Sequence, residues 1–530
     1  MSSDGIPPND QLIDTLTGIV GADAVITDAE ERRFYSTDVY SEGAHCAAVI
    51  RPKDAQTLAK AVSASTRAGY AVIGRGGGMT YTGGYTPLRA DTIMVDVGTL
   101  NRIIEINKED MYITVEAGVT WAQIYDALKP LGLRLPFFGT FSGIKATVGG
   151  GLSNGALFMG TARYGQAADC VLGLQVVLAD GTIVNTGQAG FRNGKPFYRT
   201  YGPDLTGMFT HDGGAFGIKT QDSFRLIEWP EAQDYASFVF PTVDATILAL
   251  ADIARSGAAE EAYVFDPAST KKGLAGNNLK QDINTLVKVI GGQGGLLKGL
   301  KEGAKLVTAG RDFIDGDVYS IHVVCAGRSD AAVAADIAEI RARAARQGGA
   351  EIPNSIPKAI RANPFLPLNG VLGPKGDRWA ALNAKVPHSV APAFIKAAEA
   401  LLDSYKEQMD AKGVFMTRLN IALGSHSYSY EPVFHWFDEW LPVHKRTAEP
   451  SHLQKLGPEP KADPEARALV NKIRAEMATL MGDWGASSNQ IGKTYPYLQN
   501  LEPGAARLIK AFKAETDRDG QLNPGVLGFS

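Results

Sequence analysis

The stretch that most constrains this chain is Arg75 to Gly84, Arg-Gly-Gly-Gly-Met-Thr-Tyr-Thr-Gly-Gly. An apolar run, Tyr70 to Gly74, leads into it and reads as a short buried strand. Five glycines in ten residues remove the Cβ atoms that would hold a ligand away from the backbone. Free amides can then face an anion, as in a phosphate-holding nest, and Thr80 and Thr82 add hydroxyls. A ligand-free glycine hairpin is the other reading of the same residues. The stretch is not a Gly-x-Gly-x-x-Gly dinucleotide fingerprint, because no long helix follows it within a βαβ unit.

A second cluster, Thr147-Val-Gly-Gly-Gly-Leu-Ser-Asn-Gly155, shifts the balance towards a ligand. Behind it stand Arg163-Tyr-Gly165, Leu178-Ala-Asp-Gly181, Asp204 to Phe209 and Gly213-Gly-Ala-Phe-Gly-Ile218. In this order and spacing the chain resembles the FAD-linked oxidoreductases of the vanillyl-alcohol oxidase and p-cresol methylhydroxylase superfamily. That group includes proteins with the FAD-binding domain shared by glycolate oxidases and D-lactate dehydrogenases. The resemblance runs from Val49 to Glu228 and resumes at Asp519 to Gly525.

The resemblance implies FAD as cofactor and an α+β fold: a two-subdomain FAD-binding domain plus an α+β cap with an antiparallel sheet. The expected division is Met1 to Glu228 for the FAD-binding part and Trp229 to Trp484 for the cap. Gly485 to Ser530 is expected to return to the FAD-binding part. By matching, the first loop (Gly76, Gly77, Gly78, Met79, Thr80, Gly83 and Gly84) holds the pyrophosphate. Thr147, Gly149, Gly150, Asn154 and Gly165 match a second cofactor-lining segment, and Gly217 and Ile218 a strand on the adenine side.

Three departures from the family pattern shape the functional expectation. Met79 stands where relatives that anchor FAD covalently through this loop have His, so FAD is expected to be non-covalent. Ser488-Asn-Gln-Ile-Gly492 stands where the metal-dependent 2-hydroxy-acid dehydrogenases carry Glu-His-Gly-Ile-Gly, so no metal site is expected. The Arg-Tyr pair that holds phenolates in para-substituted phenol oxidases is missing before Gln490, leaving Lys493 and Tyr495 as substitutes.

The expected reaction is oxidation of a CH–OH group, with an aromatic or lignin-like alcohol as one substrate class. It requires an acceptor for the hydroxyl proton and a C–H facing flavin N5. His426 and His435 follow the strand-like run Phe415 to Leu423, and Tyr428 alternates with His426. Arg378-Trp379 and His388 form a second candidate patch, with Arg378 suited to a substrate carboxylate. The expected catalytic residues are thus His426, His435, Tyr428, Arg378, His388 and Tyr495. A metal-assisted D-2-hydroxy-acid dehydrogenase and a flavoprotein that only relays electrons to a partner remain as alternatives.

Other features bound the partners. A formal charge of −4 argues against a general nucleic-acid binder. No run of eighteen apolar residues predicts a transmembrane helix, and the N-terminus does not read as a secretory signal. Three well-separated cysteines suit a reducing cytoplasm. A small-molecule substrate is expected, and an electron-acceptor protein and a second copy of the chain are the protein partners left open. Lys271 to Arg311, glycine-rich and lysine-rich, reads as an insertion into the cap.

Overall fold

The computed structural model describes residues 10–240, 242–267 and 319–529; the insertion expected at Lys271 to Arg311 lies outside them. Three main sheets organise the chain, and the α+β expectation holds. In the first, Ala48–Ile50 and Ala71–Arg75 flank Thr92–Asp96 in parallel, with Val25–Ile26 added antiparallel at one edge. These strands are almost wholly apolar and buried, as strands covered on both faces are. The helix Ala55–Arg67 packs its Leu58 and Val62 into their core. Asp54 starts that helix by accepting the Thr57 amide at 2.7 Å.

The second sheet has five antiparallel strands, in the order Ile103–Asn107, Tyr112–Glu116, Ile218–Arg225, Val171–Val177, Ile183–Asn185. The chain enters this sheet at Ile103, because the strand Tyr112–Glu116 pairs with Ile218–Arg225, with Glu116 opposite Gln221. Such a long-range pairing leaves no local mark in sequence. The second glycine cluster is helical over Val148–Asn154: Thr147 caps its start and Gly155, in the left-handed conformation, ends it.

The third sheet is antiparallel throughout, in the order Ala350–Ile352, Ala232–Phe240, Tyr319–Gly327, Glu261–Phe265, Phe415–Leu423, Ser427–Trp436, Arg378–Ala381; Ala384–Pro387 also pairs with Ser427–Trp436. The helices Val243–Ser256, Asp330–Arg346, Ala391–Ser404 and Pro464–Asp483 share one apolar core with it, through Leu250, Ile337, Phe394 and Ile473. From the same sheet, Tyr263 and Ile421 join a different core, which also holds Phe137 and Phe158 of the second sheet's unit. The third sheet thereby forms a wall over the glycine loops. The C-terminal tail returns beside the first loop: the Val72 amide donates to Gln521 at 2.8 Å and the Asn523 amide to Val72 at 3.0 Å.

Candidate functional site

A cavity of about 500 Å³ lies between that wall and the glycine loops. Its floor is Gly76 to Tyr81, the helix Val148–Asn154, and Gly213, Gly214, Gly217 and Ile218. Its roof is Pro364, Leu368, Val371, Trp379, Leu419 and Glu431, with Asn489 and Gln490 from the tail.

The glycines of the floor allow two loops to touch. A Cβ at Gly76 would lie 2.2 Å from Thr147 Oγ1, one at Gly77 1.9 Å from the Lys145 carbonyl, and one at Gly149 2.6 Å from the Ala117 Cβ. With side chains absent there, backbone faces the cavity. The first loop is fixed by Asp38, whose carboxylate accepts the Gly83 amide at 2.7 Å and the Ser41 amide at 2.6 Å. Burial pushes the Asp38 carboxyl up, against those amide bonds. Lys493 ties the loop to the tail: its Nζ donates to the Thr86 carbonyl at 2.9 Å and to Asn523 Oδ1 at 2.8 Å. Burial pushes that amine down to about 7.

The roof end is apolar and aromatic around one acid. The Trp379 and Tyr81 rings lie 5.2 Å apart, tilted by 57°. Glu431 faces Leu419 across the hairpin in direct register, and both line the cavity. Asn383 Nδ2, 3.3 Å away, is the donor on its carboxylate among the described residues. Enclosure by protein pushes the Glu431 carboxyl up to about 7, although the side chain keeps access to the cavity space itself. Burial and the Glu431 charge both push the Tyr81 phenol upward. Among the described residues the one basic side chain lining the cavity is Lys219, held by buried Asp212 at 2.7 Å.

Of the residues matched to cofactor binding, Gly76, Gly77, Gly78, Met79, Thr80, Gly84, Thr147, Gly149, Gly150, Asn154, Gly217 and Ile218 line the cavity. Gly83 and Gly165 do not. Gly83 serves Asp38, and Gly165 makes room for Asp169, whose Oδ2 would lie 2.2 Å from a Cβ there.

None of the six expected catalytic residues lines the cavity. His426 is exposed on the turn after Gly424, whose φ of +57° swings the chain out to solvent. His435 lies on the same sheet face as Glu431 but is buried between Asp377, 3.0 Å from Nδ1, and Thr417, 2.9 Å from Nε2. Tyr428 faces the helical core. Arg378 pairs with Asp438 at 2.9 Å. His388 contacts the Ser425 carbonyl at 3.2 Å, and Tyr495 Oη accepts the Asn383 amide at 2.7 Å. Among the described residues no three His, Cys, Asp or Glu side chains gather as a metal site requires.

Comparison with known proteins agrees with the cavity floor. Residues 46–187 match the FAD binding domain family model. D-lactate dehydrogenase [cytochrome] 1, mitochondrial, of Saccharomyces cerevisiae is 28% identical over 43% of this chain and 38% of its own length. The 4-cresol dehydrogenase [hydroxylating] flavoprotein subunit of Pseudomonas putida is 34% identical over 28% of each chain. The solved structure of p-cresol methylhydroxylase with substrate bound superposes with a TM-score of 0.71 at 18% identity, over 98% of this chain and 97% of that one. Residues 46–187 are thus an FAD-binding domain of the vanillyl-alcohol oxidase and p-cresol methylhydroxylase type, and the whole chain shares the fold of p-cresol methylhydroxylase.

FAD is therefore its cofactor. The residues present fit it. Asn154 Oδ1 and Asn489 Oδ1 are buried without a hydrogen-bond partner, and both residues line the cavity. The cavity volume lies within the range of cofactor pockets. The chain spans about two fifths of the length of curated relatives that it matches.

The sequence did not single out Asp38, Tyr81 or Glu431, and it offered Trp379 only as the neighbour of Arg378 in a candidate patch. Glu431 did leave a signal: it is the one acid in the strand Ser427–Trp436. Among the described residues no helix is long and apolar enough to cross a membrane.

Proposed function

We propose that this chain is an FAD-dependent oxidoreductase that oxidises the CH–OH group of an uncharged aromatic alcohol. The observation that carries this reading is the roof of the cavity: Glu431, the one acid lining it among the described residues, set among Trp379, Tyr81, Leu368, Val371 and Leu419. Bound FAD supplies the two-electron acceptor. Trp379 and Tyr81 offer ring faces and edges to an aromatic substrate. Glu431, with its carboxyl near 7, is charged in a large fraction of molecules at neutral pH and takes the proton from the substrate hydroxyl. Apolar walls keep water from competing for that carboxylate.

A D-2-hydroxy-acid substrate is the rival that sequence similarity suggests. Its carboxylate would need a cationic partner, and Lys219, the one basic residue lining the cavity among the described residues, is occupied by Asp212. Glu431 would repel it as well.

The deciding experiment is anaerobic stopped-flow reduction of the flavin by 4-hydroxybenzyl alcohol and by D-lactate. Glu431→Gln is expected to slow reduction by the aromatic alcohol by about 10²–10⁴-fold while leaving FAD bound, the usual effect of removing a general base. Reduction by D-lactate alone, or wild-type rates in E431Q, would overturn the proposal. Peroxide measured during turnover distinguishes oxygen from a protein carrier as the electron acceptor.

A further inference from the structure

Behind the first glycine loop, three cations from separate stretches surround one ring. The Arg75 guanidinium lies 4.6 Å from the Phe34 centroid, the Lys145 ammonium 5.9 Å and the Arg446 guanidinium 4.4 Å. Arg75 also covers the rings of Tyr35 and Tyr85, at 4.8 and 5.2 Å. Acid does not balance this charge. Arg446 pairs with Glu31 at 2.7 Å, but among the described residues no carboxylate lies within ion-pair distance of Arg75 or Lys145. The acid of the loop, Asp38, is taken up by the amides of Gly83, Tyr40 and Ser41.

The unbalanced pair is also poorly solvated. Arg75 is 4% exposed, and its Nε and Nη2 have no hydrogen-bond partner. Among the described residues the hydrogen-bond partner of Lys145 Nζ is the Thr447 hydroxyl, 3.0 Å away. Burial, with the neighbouring Arg75 and Arg446 charges, pushes the Lys145 amine down to about 8. Aromatic faces offset part of the cost of holding like charges together, but not the repulsion between them.

Their position gives the cluster a use. Arg75 runs directly into Gly76, and the Lys145 carbonyl touches Gly77; Gly76, Gly77 and the two neighbours of Lys145 in space and sequence, Ser142 and Ala146, line the cavity. We infer that Arg75, Lys145 and Arg446 form the counter-charge for the phosphates of bound FAD, acting through the thin wall of the glycine loop. Arg446, on the helix Pro442–Thr447, brings the cap into cofactor retention. The inference is independent of which alcohol is oxidised.

The cluster has a signature that a structural cluster lacks. Relieving repulsion stabilises the apoprotein, while losing counter-charge weakens the cofactor. The test uses apoprotein of Lys145→Met and Arg446→Met, titrated with FAD, ADP and riboflavin at low and high salt, together with apoprotein melting. In both variants FAD and ADP are expected to bind about tenfold more weakly at low salt, the scale of one charge-assisted contact. The difference should shrink at high salt. Riboflavin, which lacks phosphate, should bind as to wild type, and K145M apoprotein should melt no lower than wild type. Unchanged FAD and ADP affinity in both variants would overturn the inference. So would an equal loss for riboflavin, or a lowered melting point of K145M apoprotein.

Discussion

Asn383 Nδ2 sits 3.3 Å from Glu431 Oε2 and 2.7 Å from Ser429 Oγ, so one amide spans the one acid that lines the cavity among the described residues and its strand neighbour two residues away. Asn383 is itself fixed, because its backbone amide donates to the Tyr495 hydroxyl at 2.7 Å. Tyr495, expected to be catalytic, thus acts at one remove from the cavity, by holding the residue that holds Glu431.

A donor on a carboxylate favours its charged form. Removing it in Asn383→Leu should therefore raise the Glu431 carboxyl beyond its present value near 7. The acidic limb of the pH profile of flavin reduction should move up by about half to one pH unit, a typical effect of one lost hydrogen bond. The rate above that limb should change little. A limb that stays in place while E431Q is slow would show that Glu431 is set by its surroundings other than Asn383.

Trp379 is the second test of the substrate class. Its indole Nε1 donates to the Gly370 carbonyl at 2.8 Å, which fixes the ring beside Tyr81. Trp379→Leu should keep the fold and raise the apparent dissociation constant for 4-hydroxybenzyl alcohol about tenfold, equivalent to about 1–1.5 kcal/mol of lost aromatic contact. A small aliphatic alcohol should lose much less. Equal losses for both would remove the case for aromatic recognition.

What was legible in the sequence follows from how local each signal is. Glycines mark the floor because a missing Cβ is visible in the chain itself, and most of the matched residues line the cavity. The strand Phe415–Leu423 was legible from its alternation. Its partner's faces were not. Glu431 reaches the cavity because it stands opposite Leu419, and Trp379 because it stands opposite His435 on the third strand of the same ladder. Register of that kind is set by pairing across long separations. His426 lies away from the cavity for a related reason: the chain turns at Gly424 and the next strand begins only at Ser427, so His426 falls on the exposed turn and not on a strand face with Tyr428.

The cofactor should be held without a covalent bond. Met79 lines the cavity where a nucleophilic side chain would be needed, and a thioether does not supply one. The histidines nearest the cap strand, His426 and His435, lie outside the lining. Acid precipitation should leave a colourless pellet and a yellow supernatant. A yellow pellet would overturn this, and peptide mapping should then turn first to Tyr81 and Tyr85, which do line the cavity.

Asp222 gives a prediction about stability rather than turnover. It lies on the strand Ile218–Arg225, fully buried, with neither carboxylate oxygen hydrogen-bonded. Burial pushes its carboxyl up to about 7, with Lys219 pulling the other way. A carboxyl raised in the folded state binds more protons there than in the unfolded chain between its unfolded value, about 4, and 7. Its contribution to stability is therefore complete below about pH 4 and is lost as pH rises towards 7. Asp222→Asn keeps the shape and removes the charge. At pH 8 it should stabilise the protein by about 1–4 kcal/mol, the range set by a buried, unpaired carboxylate. At about pH 4 the two proteins should unfold alike, since Asp222 is then protonated in the folded wild type. Denaturant melts of both proteins at about pH 4, 6 and 8 check this. A substitution that destabilises at the highest pH would mean that Asp222 keeps its charge in the fold through a partner such as Lys219.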